Sequence, residues 1–150
     1  MKNEIALPES ISPDELLARS IFCGFERKSL KTKIDIDNNI ARPSLFIDNR
    51  NPWELSVNRI SYYEGDKHTL GIEHYKKHPT HYGYSGYAEI AARDVFEIGC
   101  SIEKDDVKGT NPFHANIKYP AENPKEKCMA CAVKLAFKST LILHNNVKIT

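Results

Sequence analysis

Cys128, Cys131, Ala132, Leu135 and Ala136 fall at i, i+3, i+4, i+7 and i+8. That spacing gathers all five on one stripe of an α-helix, and such a stripe is stable only against another apolar surface. Asn123, Pro124 and Glu126 supply a cap, a proline at the first helical position and an early acid, so this helix starts there and runs to about Lys138. The rest of the chain must build what it covers.

Short segments rich in aliphatic and β-branched residues are the candidates. Ser44 to Ile47 and Leu55 to Ile60 read as strands joined by the turn chemistry of Asp48 to Pro52. Cys100 to Glu103 and Phe113 to Tyr119 read as two more. Leu141 to Ile149 either prolongs the last helix or forms an edge strand. Two further helices are predicted. Ser12, Pro13 and Glu15 form a capping box ahead of Leu16, Leu17 and Ile21, giving a helix from about Pro13 to Phe22. Ala88, Ala91, Ala92, Val95 and Ile98 mark another, opened by Ser85 or Gly86 and ended by Gly99. Arg27 to Asn39 reads as a loop with room for a short strand. No repeat, biased tract or linker divides residues 1–150. The expected fold is a single α+β domain, with a mixed or antiparallel sheet of about four or five short strands packed by about three helices.

Composition narrows the function classes. Hydrophobic residues make up 41% and charged residues 27%, which argues against long disorder. No run of some eighteen apolar residues occurs and the start lacks a signal-peptide pattern, so the expectation is a cytoplasmic chain with no membrane association. A formal net charge of +1 leaves no global footprint of a nucleic-acid binder. Duplex binding is expected to be weak and salt-sensitive, since its affinity comes from neutralised phosphates.

Three clusters carry chemistry. Cys128 and Cys131 with Cys100 and His114 spell a Cys3His zinc set, but the helical spacing assigns the cysteines to packing, and no metal or cofactor is expected. The segment from His68 to Tyr87 mixes histidine, tyrosine and lysine, the residue types that stack and neutralise single-stranded nucleic acid. Its candidates are Lys76, Lys77, His78, Tyr82 and Tyr84, against the reading of an exposed loop without function. The third cluster is catalytic in type. Alternation puts Arg59 on the apolar side of its strand with Leu55 and Val57, and sets His114 and Asn116 on the polar side of theirs. His114 suits general acid–base work near neutral pH, with Arg59 or Arg42 holding a phosphate or carboxylate. The competing reading makes His114 a partner of a backbone carbonyl and Arg59 half of an internal ion pair. No nucleophile elbow, Walker loop or dinucleotide fingerprint occurs.

The order Arg42-Pro43-Ser44, Leu55-Ser56-Val57-Asn58-Arg59, Gly86-Tyr87-Ala88-Glu89-Ile90 and His114-Ala115-Asn116-Ile117 resembles a loose set of small uncharacterised bacterial proteins. It departs from that pattern in a longer His/Tyr segment and in Lys118-Tyr119 where glycine or tryptophan is expected. The resemblance implies a small bacterial domain and no particular reaction, and lifts Arg59 and His114 above their neighbours. Two functions follow as expectations: an accessory module acting through a protein partner in an operon-encoded system, or a His-dependent enzyme or binder of a phosphate-containing substrate, RNA or nucleotide.

Overall fold

Polar–apolar alternation fixes the sheet. The structure, a computed structural model, describes residues 7–23, 27–48, 51–78, 83–105, 111–120 and 125–144. Strands β1 (Leu16–Ile21), β4 (Glu54–Arg59), β5 (Gly86–Ala91), β6 (Ser101–Lys104), β7 (His114–Lys118) and β8 (Thr140–Leu143) form one antiparallel sheet in the order β6-β7-β4-β1-β5-β8. A separate hairpin pairs β2 (Ile34–Asp35) with β3 (Ile40–Ala41). The helices are a single turn α1 (Arg27–Leu30), α2 (His68–Lys77), α3 (Ala92–Glu97) and α4 (Lys125–Lys138). None is long and apolar enough to cross a membrane, among the described residues.

One sheet face is the core. Leu17, Ile21, Leu55, Val57, Ala88, Ile90, Ala115 and Ile117 are buried there, joined by Cys128, Ala132, Leu135 and Ala136 of α4. The helical stripe read from sequence thus packs where it was expected, and burying a side chain such as Leu135 contributes about 1.5–3 kcal/mol. On the opposite face α2 covers β1 and β5, with Leu70 against Ala18, Ile60 and Tyr87. Beyond α2 that face turns polar, carrying Ser56, Asn58, His114 and Asn116.

The α+β class holds, with six strands in the main sheet and two in the hairpin where about four or five were expected. The helix expected from about Pro13 to Phe22 is absent: a turn leads into the central strand β1, Leu16–Ile21. The capping-box contacts do form: the Ser12 N–H donates to Glu15 Oε2 at 3.0 Å and the Asp14 N–H to Ser12 Oγ at 3.2 Å. They close only a turn, because β4 and β5 take the backbone of the following residues into ladders on both sides. The helix expected up to Gly99 is likewise divided, its first half becoming β5 and its second half α3. Pro43–Phe46 is a 3₁₀ turn rather than a strand, with proline at its start. Residues 68 to 77 are helical. The chain after α4 takes the edge-strand alternative as β8.

Candidate functional site

The ladder between β1 and β4 is short. Only Leu17 pairs with Arg59 and Ala18 with Asn58, and past these the two strands part. Arg19 spans the opening: its Nε donates to the Leu45 carbonyl at 2.9 Å and its Nη1 to the Ser56 carbonyl of β4 at 3.1 Å. The parting leaves a cleft of about 500 Å³ between two strands of one sheet. Arg19 and Ser20 line it from β1 with Phe22 just after, Ser56 and Asn58 from β4, and His114 from β7. Lys33, Asp48 and His74 reach it from the β2 hairpin, the end of the 3₁₀ turn and α2.

Two cations share this space. Lys33 Nζ donates to the Ser44 carbonyl at 3.2 Å. Burial lowers the pKa of both, and the positive charge of Arg19 depresses Lys33 further. Carbonyl dipoles orient a guanidinium and an ammonium without cancelling their charge. Asp48 favours the ionised form of Arg19. The arrangement suits an anion that both cations address together. A second cleft of about 480 Å³, near Trp53 and Cys100, is electrostatically closed by comparison: its lysine, Lys118, already meets Glu54 at 2.9 Å and Glu103 at 3.7 Å.

His114 stands at the cleft with a fixed ring. Its Nδ1 lies 3.1 Å from Asp105 Oδ2 and 3.0 Å from the Asp105 carbonyl oxygen. Both neighbours accept only, so Nδ1 carries the proton and the neutral ring keeps its lone pair on Nε2. The Asn116 amide donates to the same Asp105 carboxylate at 3.0 Å, and Asn111 donates to Asn58 at 2.8 Å, which stiffens the polar face around the imidazole. A histidine oriented by a carboxylate is equipped to take or give a proton at Nε2.

The other sequence candidates lie elsewhere. Arg59 is completely buried, its Nε and Nη2 each 2.8 Å from the Glu15 carboxylate and its Nη1 2.8 Å from the Pro8 carbonyl. Arg42 Nε donates to the carbonyls of Lys31 at 2.6 Å and Ile34 at 3.1 Å, tying the β2 hairpin. The structure therefore brings neither arginine to His114; the cleft cations are Arg19 and Lys33. Lys76, Lys77 and His78 are exposed at the end of α2, with Lys76 near Glu73 at 3.9 Å. Tyr84 is buried, its hydroxyl 2.8 Å from His68 Nδ1, and presents no face for a base. Tyr82 lies outside the described residues. Cys100, Cys128 and Cys131 gather in or against the core, away from the polar face that carries His114, and among the described residues no three candidate ligands converge for a metal.

Comparison with family models, with curated proteins and with solved structures finds no match for the chain. The site stands on its geometry. Arg19, Lys33 and Asp105 were missed in the sequence, whereas His74 belongs to the His/Tyr/Lys segment singled out there. Arg19 did carry a signal, a charge set among Leu16, Leu17, Ala18 and Ile21, the same signal that singled out Arg59.

Proposed function

We propose that this domain binds a phosphate-bearing small ligand in the cleft between β1 and β4, and that His114 exchanges a proton with it. The observation that carries the reading is the convergence of Arg19 and Lys33, two desolvated cations anchored by main-chain carbonyls at the point where the strands part. A phosphate adds negative charge beside Asp48, which already favours the ionised form of Arg19, and the guanidinium fork suits its oxygens. The Asp105–His114 pair adds an acid–base group to the same cleft, from the polar side of the sheet. Titration calorimetry with inorganic phosphate and pyrophosphate tests this. Saturable binding is expected, lost in Arg19→Gln and in Lys33→Gln; heats unchanged by either substitution would refute it.

A second reading, a module acting through a protein partner, draws on α4. Met129, Val133 and Phe137 recur at four-residue spacing on its outer side, with Phe137 81% exposed. Lys127, Lys134 and Lys138 are exposed beside them. A partner suited to that ridge has an apolar groove rimmed by carboxylates. The readings separate by variant, since replacing Val133 and Phe137 with serine leaves phosphate titrations untouched.

A further inference from the structure

We infer that α2 is an acid-released latch, held on the sheet while the contacting imidazoles of His68 and His144 are neutral and lifted from it when both take up protons. The latch acts whether or not the cleft holds an anion.

The helix is lightly held. Of its ten residues only Gly71 is buried. Gly71 lies flat against Tyr84, where an added Cβ would sit 2.1 Å from the ring, and Leu70 packs on Ala18, Ile60 and Tyr87. The third attachment is His68, the first helical residue, whose Nδ1 lies 2.8 Å from the Tyr84 hydroxyl. Glu73, His74, Lys76 and Lys77, toward the other end, are exposed. A helix this short is marginal once its packing is lost.

His68 is ringed by aromatic groups. His144, just past β8, meets it edge to face with ring centroids 5.0 Å apart, Tyr87 of β5 does so at 5.2 Å and Tyr84 at 5.7 Å. A second proton on the imidazole pair sets two positive charges against each other in a half-buried site. An imidazolium on the first helical residue also sits at the positive end of the helix dipole. Asp66, in the turn before α2, pulls the other way, and its Oδ1 already accepts the His68 N–H at 2.9 Å. Lys67 turns to the Tyr63 carbonyl, and Glu89 of β5 stands beside Tyr87. Burial first, against the pull of Asp66 and helped by His144, holds the His68 imidazole below its ordinary 6.5.

The helix is the partner that yields. The His144 N–H donates to the Ser85 carbonyl at 2.9 Å, where the β5–β8 ladder ends, so His144 stays with the sheet. Lifting α2 withdraws His74 from the cleft and bares Tyr84 and Tyr87, both buried in the docked form. Because the docked state favours the neutral ring, docking is complete above pH 6.5 and weakens as pH falls through the lowered His68 value.

Amide hydrogen exchange on the full chain at about pH 7.5 and about pH 5, each rate divided by its intrinsic value at that pH, tests the latch. Protection of the α2 amides is expected to fall at least about ten-fold in acid, the effect of one unit of pKa difference, while β1 and β5 keep theirs. His144→Gln and His68→Gln should each leave α2 equally protected at both pH values, and either variant reports if the other fails to fold. Unchanged α2 protection in the parent chain, acid loss that persists in either folded variant, or loss shared by the central strands overturns the latch.

Discussion

Glu15 and Arg59 meet as a two-bond pair inside the protein, each bond 2.8 Å long, with 3% and 0% of the two side chains exposed. The pair joins the turn that precedes β1 to the end of β4. It fixes the one stretch where these central strands are in register, and so sets where they begin to part.

Arg59→Ala strands a buried carboxylate and should cost about 3–5 kcal/mol of stability. Replacing both partners, Glu15→Leu with Arg59→Met, is expected to recover most of that loss, because no charge is then left uncompensated. Denaturant melts of the two single variants and the double variant measure it. A double variant as unstable as Arg59→Ala would mean that the pair is needed for more than mutual compensation.

Lys33 sets the pH response of the cleft. Its ammonium is held below the ordinary value of 10.5 by burial first and Arg19 second. Free protein therefore sheds this proton early on the alkaline side, and the contribution of Lys33 to stability without ligand rises as pH climbs through that window toward 10.5. A bound anion restores the proton. Phosphate affinity should weaken as pH rises through the lowered value, with net proton uptake on binding. Calorimetry in buffers of contrasting ionisation enthalpy reads the uptake, whose Lys33 contribution should vanish at pH well below the lowered value, where its ammonium is already protonated.

The core thiols should be inert. Burial chiefly, with Cys131 second, pushes Cys100 up to about 12, and burial also raises Cys23 and Cys128. An aromatic disulfide reagent should label these three slowly in the native protein and all four cysteines once denaturant is added. Because the folded state holds these protons more tightly, the unfolded chain ionises first, and the thiols' contribution to stability should fall as pH rises above their ordinary value of 9.0. Rapid native labelling of Cys100 or Cys128 would contradict the packing described here.

Gly71→Ala drives a methyl group into the Tyr84 ring at 2.1 Å and should destabilise the domain by about 1–3 kcal/mol, despite alanine's higher helix propensity. Pairing it with Tyr84→Leu is expected to relieve the clash. A raised melting temperature for Gly71→Ala alone would show that α2 moves freely away from β5.

Elements whose local pattern matched their surroundings were legible in the sequence. The stripe of α4 and the alternation of β4 and β7 each face one environment, so period alone identified them. β1 is a central strand buried on both faces, with Leu17 and Ile21 toward one side and Ala18 toward the other. It shows no alternation, and its capping-box turn imitated a helix start. β5 misled likewise, since Ala88 and Ala91 continue into the real helical positions Ala92 and Val95. In the site, His114 was legible because its strand was. Arg19 and Lys33 were not, because their meeting depends on the register that Glu15 and Arg59 impose, a relation between distant residues that no local window contains.

The short β1–β4 ladder also divides the sheet into two three-stranded leaves. One leaf takes β4, β6 and β7; the other takes β1, β5 and β8. In chain order the leaves alternate, with the first leaf's strands lying between those of the second. No single cut of the polypeptide separates them, so neither leaf exists as a contiguous fragment. The groove is thus carved along a spatial seam with no counterpart in the linear chain, and only the full-length fold assembles its two walls.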